Sequence, residues 1–325
     1  MPRPSRAPLL LGLLAVLVAL GGLAALFHAF AVGVRNARVE PYLSDLTSAD
    51  ALAAAISGST FAALLLAGAV LLLAGRPAGR SALIWLCGTG IALVLLLSYT
   101  YHQAMWPVGY DFWIGPPAWI GGAATALVVL ALAAAAVLFG HPAIRDALLD
   151  PAEAVPARTP GRLRRAVWLL GAGTAVSLGA LIVALRIDPY LGDRPGALLV
   201  FGLFAVLIGA GGIVATVAAG FARAGRIAAA HLARGGGAVL LVGQWLALGL
   251  TPESTVISLG RYANAGGISA PLGITLYVLC LLGVLSSLVA LAGLADPRTE
   301  RFIRAAEEHR NSQWASWSSP APVAQ

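Results

Sequence analysis

Two histidines have the type and placement of cofactor ligands. His28 lies near the end of the first long apolar stretch of the chain, and His102 lies at the end of the third. Two imidazoles at similar depth on different helices can ligate a haem iron or a copper ion. Alternatively, each is a polar residue at a membrane boundary that hydrogen-bonds to a neighbouring helix. Binding of haem, a metal or a quinone near His28 and His102 is therefore one hypothesis, although the sequence requires no cofactor.

Arg234 is a second candidate because it lies about two turns inside an apolar stretch. Three glycines follow it directly, Gly235 to Gly237. A guanidinium group at that depth must extend to the membrane surface, or pair with an anion or with the carbonyl groups of a helix end. The glycines would let another group approach the backbone closely. Arg234 is thus a candidate for binding an anionic lipid head group or substrate.

The densest polar and aromatic segment of the chain is YHQAMWPVGYDFWIGPPAW, residues 101–119. An aromatic belt at a membrane boundary would explain most of its rings. Its prolines and glycines are instead typical of a folded loop, which could cover an outward-facing cavity or contact a partner. Under this second interpretation, the candidate substrate-binding residues are Tyr101, Trp106, Tyr110, Asp111 and Trp113.

Several mechanisms are excluded or disfavoured by the residues that the chain lacks. All 21 basic residues are arginine, so a lysine Schiff base and a P-loop lysine are excluded. No carboxylate lies in the middle of an apolar stretch, which argues against a pump or a sodium-coupled carrier built on buried acids. The arginines form no continuous stripe, so nucleic acid is not a predicted partner. An enzymatic function is not indicated.

The elements that position these residues are predicted from composition and hydropathy. Hydrophobic residues make up 59% of the 325 residues and charged residues only 11%, which is too little polar surface for a soluble protein. About 20 apolar residues are needed for a helix to cross a membrane. Since a spanning backbone must satisfy its hydrogen bonds internally, we predict an all-α integral membrane protein. The eight predicted transmembrane helices are 9–33, 51–75, 81–104, 117–140, 166–186, 196–221, 227–250 and 270–294.

The distribution of arginine predicts the orientation of these helices. With the N-terminus inside, sixteen of the 21 arginines fall on the inner side and five on the outer side. This bias predicts that both termini are cytoplasmic. The arginine-only, alanine-rich composition is typical of a high-GC bacterium, which indicates the inner (plasma) membrane. Alternatively, residues 1–31 are a signal peptide cleaved after Ala29-Phe30-Ala31, which would leave seven helices.

Two similar polar heptads indicate an internal duplication. Residues 39–45 read VEPYLSD and residues 187–193 read IDPYLGD, each just after an outward-going helix. Ala78-Gly79-Arg80 at the start of the third helix also matches Ala224-Gly225-Arg226 at the start of the seventh. An even number of helices per unit implies a parallel repeat related by a twofold axis along the membrane normal. The predicted parts are unit 1–140, proline-rich linker 141–165, unit 166–295, and cytoplasmic tail 296–325, disordered from 311.

Three functional hypotheses follow from this organisation. The favoured one is a non-enzymatic carrier or binding subunit for an apolar or amphipathic molecule, with an outward-facing cavity between the two repeats. It rests on the repeat, the absence of buried carboxylates and the aromatic segment. The alternatives are a redox subunit that uses His28 and His102, and a structural or assembly subunit. The predicted partners are the lipid bilayer and other membrane subunits.

Overall fold

The computed structural model describes residues 6–37, 44–105, 116–148, 160–187, 195–262 and 270–318, and all regular structure in these ranges is helical. Eight of its helices are long and apolar enough to cross a membrane, which confirms the predicted all-α class and the number of candidate membrane helices. The helices are α1 (Ala7–Ala37), α2 (Ser44–Leu73), α3 (Pro77–Met105), α4 (Pro116–Gly140), α5 (Pro142–Ala147), α6 (Gly161–Ile187), α7 (Pro195–Ala222), α8 (Ile227–Tyr262), α9 (Ala270–Leu294) and α10 (Pro297–Ser318).

The outside of the helix bundle is apolar, as a lipid-facing surface requires. Leu130 and Val137 of α4, Trp168 of α6 and Leu199 of α7 are each at least two-thirds exposed. In water such side chains would form large apolar patches, which soluble proteins avoid. The fold therefore belongs to the class of multi-pass helical membrane proteins.

The same order of helix contacts occurs in both halves of the chain. In the first half α1 packs on α2 and α4, and α3 packs on α2 and α4; in the second half α6, α7, α8 and α9 repeat these pairings. Small residues bring the backbones together. A Cβ atom at Gly211 of α7 would lie 2.6 Å from the backbone nitrogen of Leu240 of α8. Close backbone approach replaces the hydrophobic driving force that lipid cannot supply.

The halves meet along α2 and α3 on one side and α8 and α9 on the other. Trp245 of α8 is fully buried there, with its ring edge-on to Phe61 at a centroid distance of 5.4 Å. Its Nε1 donates to the hydroxyl oxygen of Thr89 at 3.1 Å. The hydroxyls of Thr60 and Tyr277 are 2.6 Å apart. Among the described residues, side chains therefore fill the space between the halves around Trp245 and Tyr277.

The packing between the halves is not twofold-symmetric. A twofold axis that exchanges α2 with α7 and α3 with α8 would pair the α2–α8 contact with an equal α7–α3 contact. Within the described ranges, α2 and α8 pack extensively, whereas α7 and α3 touch at most marginally. The predicted twofold relation therefore does not describe how the halves pack.

Two short turns that connect successive helices each contain a glycine with a left-handed backbone. Gly75, between α2 and α3, has φ 72°, and Gly225, between α7 and α8, has φ 74°. A left-handed residue at a helix end is favourable for glycine, which has no Cβ atom. The predicted match of Ala78-Gly79-Arg80 with Ala224-Gly225-Arg226 has no counterpart in the backbone, since the first tripeptide lies inside α3 and Gly225 precedes α8. The identical tripeptide Ala74-Gly75-Arg76 contains the other glycine with a positive φ.

Three predicted boundaries also differ from the structure. Helix α8 continues through Pro252 to Tyr262 instead of ending at 250. The predicted linker 141–165 contains α5 and the first residues of α6. The tail predicted to be disordered from 311 is helical as far as Ser318, because α10 meets no glycine or proline before that point.

Candidate functional site

Most of the predicted aromatic site falls outside the described residues. Trp106, Tyr110, Asp111 and Trp113 are among these, so their roles, and the cavity expected beside them, stay predictions. Tyr101 is described and is fully buried. Its ring lies edge-on to Phe30 of α1 at 4.8 Å and packs against Gly121 of α4. Tyr101 is thus part of the packing among α1, α3 and α4.

The two predicted cofactor ligands differ in exposure. His28 is exposed on α1, and His102 is half-buried on α3. Phe30 and Tyr101 show that these two helices touch near this level. Within the described ranges, no group of three or more histidine, cysteine, aspartate or glutamate side chains is placed to hold a metal ion. Ligation of haem or a metal by His28 and His102 stays a prediction.

Arg234 lies beside the carboxyl end of a neighbouring helix. Its terminal nitrogen donates to the carbonyl oxygen of Leu294, the last residue of α9, at 2.8 Å. Helix-end carbonyls have no intrahelical partner and carry partial negative charge, so a guanidinium group stabilises them. The Nε atom of Arg234 is buried and has no hydrogen-bond partner in the described part of the chain. Of the arrangements predicted for Arg234, pairing with the carbonyl groups of a helix end is the one observed.

Two further arginines stabilise helix ends in the same way. Arg80 of α3 donates to the carbonyl oxygens of Phe139, at 2.7 Å, and Gly140, at 3.2 Å, at the end of α4. Arg310 of α10 donates to the carbonyl oxygen of Gly225 at 2.9 Å. We call the surface with both glycine turns, these helix ends and α10 the arginine-rich face.

A pocket of about 430 Å³ opens between α8 and α10 on the arginine-rich face. One part of its wall is apolar and consists of Ile227, Ala230 and Ile303. The remaining wall is polar and carries both signs of charge. Its members are His231, Arg234, Glu300, Arg304, Glu307, Glu308 and Asn311. Such a pocket suits a molecule with both an apolar and a charged part.

The charged groups of the pocket divide into paired and unpaired sets. Glu300 accepts a hydrogen bond from Arg304 at 2.6 Å. Burial alone would raise the pKa of Glu300, but this bond and the charges of Arg234, Arg304 and Arg145 hold its pKa below the usual value. Glu300 is therefore ionised, and its charge is balanced by Arg304.

Helix α10 forms one wall of the pocket and is fixed at its start. Asp296 forms an ion pair with Arg162 of α6, and its Oδ1 accepts from the backbone nitrogen of Arg298 at 2.9 Å. An aspartate in this position is a favourable N-cap. Thr299 donates to the carbonyl oxygen of Gly293 at 2.9 Å, and Ile303 is buried. These contacts hold the start of α10 against α6 and α9.

The structure also contains a buried polar cluster that the sequence analysis missed. The Nε2 atom of Gln244 in α8 donates to Ser177 of α6 at 3.0 Å and to the carbonyl oxygen of Gly173 at 3.4 Å. The Oε1 atom of Gln244 and the hydroxyl of Ser287 in α9 are buried and have no partner among the described residues. The available signal was that Gln244 is the one amide side chain inside the eight candidate spans.

Comparison with known protein families, curated proteins and solved structures gives no match for this chain.

Proposed function

We propose that this protein is a non-enzymatic carrier or binding subunit that holds an amphipathic molecule in the pocket between α8 and α10, which lies on the arginine-rich face and is distinct from the outward-facing cavity expected from the sequence. The wall of this pocket carries the proposal, because an apolar part and a charged part adjoin within about 430 Å³. A purely apolar ligand would leave the charged side chains of the wall without partners, and a purely polar one would leave the half-buried side chain of Ile227 without an apolar contact. An amphipathic molecule can contact both the apolar part and the charged part of the wall.

The guanidinium group of Arg234, which lines the pocket, supports a ligand with an acidic head group. The Nη2 atom of Arg234 already donates to the carbonyl oxygen of Leu294, so the guanidinium group is held in place before a ligand arrives. A pre-positioned donor loses little conformational entropy on binding. An anionic oxygen in the pocket can accept hydrogen bonds from terminal N–H groups of Arg234 that Leu294 does not use.

We also propose the orientation and origin of the scaffold. Sixteen of the 21 arginines support a cytoplasmic position for both termini in a bacterial inner membrane. The equivalent turns at Gly75 and Gly225, together with the repeated order of helix contacts, support a duplication of a four-helix unit. Arg80 of α3 and Arg234 of α8 support it further, because each binds the carboxyl end of the last spanning helix of its own half.

The test of the binding function is native mass spectrometry of the protein purified in mild detergent. The wild type should retain an amphipathic molecule, and Arg234→Met should reduce that retention about tenfold, as expected for the loss of a hydrogen bond to a charged group. Arg80→Met is the matched control, since it also removes a helix-end contact but does not line the pocket. Equal retention by both variants would refute the proposal.

A further inference from the structure

We propose that the occupant of this pocket is a phospholipid whose head group combines a phosphate with a primary ammonium group. This inference rests on the proposed binding function and specifies its ligand. It follows from the charges that remain in the pocket wall after the internal pairs are removed.

The unpaired charges of the pocket require a ligand that carries both signs. Glu300 and Arg304 neutralise each other through their hydrogen bond. Beyond this pair, the wall carries Arg234, whose charge also acts on Glu300, and the two acids Glu307 and Glu308. Neither Glu307 nor Glu308 has an ion-pair partner within the described part of the chain. A purely anionic head group would be repelled by these two carboxylates, and a purely cationic one would leave Arg234 unpaired.

The arrangement along the two helices fits the two ends of such a head group. Arg234 is half-buried beside the end of α9. Glu307 is half-buried and Glu308 is exposed, about three turns into α10. A phosphate bridges the glycerol and the terminal amine of the lipid, so it lies closer to the acyl chains. The phosphate oxygens therefore face Arg234, and the ammonium group faces the acids near the surface.

The wall chemistry also selects a primary over a quaternary ammonium group. Quaternary ammonium groups are recognised by cages of aromatic rings, because they have no N–H donors. The lining residues include no phenylalanine, tyrosine or tryptophan in the described ranges. Carboxylates instead accept hydrogen bonds from a primary ammonium group. Of the apolar wall, the half-buried side chain of Ile227 would contact the acyl chains.

The test uses the full-length protein in nanodiscs of defined composition, followed by native mass spectrometry. Nanodiscs contain equal amounts of phosphatidylethanolamine, phosphatidylglycerol and phosphatidylcholine. We expect the wild type to retain phosphatidylethanolamine about tenfold more than either competitor, since one additional charged hydrogen bond distinguishes it. Glu307→Gln with Glu308→Gln should abolish this preference, and Arg234→Met should reduce retention of all three lipids.

The outcomes separate this inference from the proposed function. Retention that depends on Arg234 but does not favour phosphatidylethanolamine would overturn the lipid assignment and leave the binding function in place. Retention that is unchanged in Arg234→Met would overturn both. A preference that survives the double glutamate substitution would also overturn the assignment. Because Glu307 is half-buried and Glu308 exposed, their substitution should leave the fold intact.

Discussion

At the level of single residues, Ser57 explains how α8 accommodates a proline in its interior. Pro252 has no N–H, so it cannot bond the carbonyl oxygen of Leu248 four residues earlier. The hydroxyl of Ser57 in α2 donates to this oxygen at 3.4 Å. An unpaired carbonyl is costly in a membrane, and a serine from a neighbouring helix is one of the groups that can satisfy it. The contact also joins the two halves of the chain.

This account predicts a specific coupling between two substitutions. Ser57→Ala should lower the free energy of unfolding by about 0.6 kcal/mol, the typical strength of a hydrogen bond between membrane helices. In a Pro252→Ala background the restored N–H can bond Leu248, so the same substitution should have little effect. Unfolding titrations in mixed detergent micelles of the four proteins measure this. An equal cost of Ser57→Ala in both backgrounds would contradict the explanation.

The three helix-capping arginines also act as single residues. Arg80, Arg234 and Arg310 each bind carbonyl groups where a helix ends on the arginine-rich face. Positive charge at these ends opposes the partial negative charge of the helix termini. The same residues that indicate orientation in the sequence therefore stabilise the helix ends in the structure.

At the level of elements, the two glycine turns have the same backbone conformation but different surroundings. A Cβ atom at Gly75 would meet no atom within 4 Å. A Cβ atom at Gly225 would instead overlap with Ala306 of α10. The α7–α8 turn therefore serves as the docking point of α10, which also binds it through Arg310.

Alanine substitutions should separate these two properties. Gly75→Ala should destabilise the protein by about 1–2 kcal/mol through the left-handed backbone alone. Gly225→Ala carries the same strain and in addition displaces α10, so it should cost more and expose α10 to protease. Unfolding titrations and limited proteolysis of both variants check this. If both show the same stability and the same cleavage rate, α10 does not depend on this turn.

At the level of the whole molecule, the four-helix halves share their internal contacts but are joined asymmetrically. Helices α2 and α3 of the first half face α8 and α9 of the second. This arrangement leaves α10 beside α8, where the pocket forms. Helix α10, which forms one wall of the pocket, has 22 residues. Helix α5, which follows the last spanning helix of the first half, has only 6.

The proposed topology predicts where reporters are active. A reporter that functions only in the cytoplasm should be active at either terminus, and inactive when inserted at residues 106–115 or 263–269. The reason is the concentration of arginine on the face that carries the termini. Activity measurements in intact bacterial cells give the result. Opposite locations of the two termini would mean an odd number of membrane crossings and contradict the eight-helix topology.

Composition and spacing were sufficient to predict the membrane class and the eight spanning helices. Both depend on the length and hydrophobicity of continuous segments, which are local properties of the chain. The sequence alone did not show which tripeptide forms the turn before α3, because Ala-Gly-Arg occurs at 74–76 and again at 78–80. Backbone conformation distinguishes the two, since Gly75 has a positive φ and the second tripeptide lies within α3.

The pocket and the partner of Arg234 depend on contacts between distant residues, which local patterns do not encode. Arg234 was recognised as unusual from its depth, but its acceptor, Leu294, is 60 positions away. Ser57 and Leu248 are 191 positions apart, so the satisfied carbonyl before Pro252 could not be foreseen. Hydrophobic length specifies that a helix crosses the membrane, whereas side-chain packing selects its neighbours. That selection placed the polar groups of α8 beside the acids of α10.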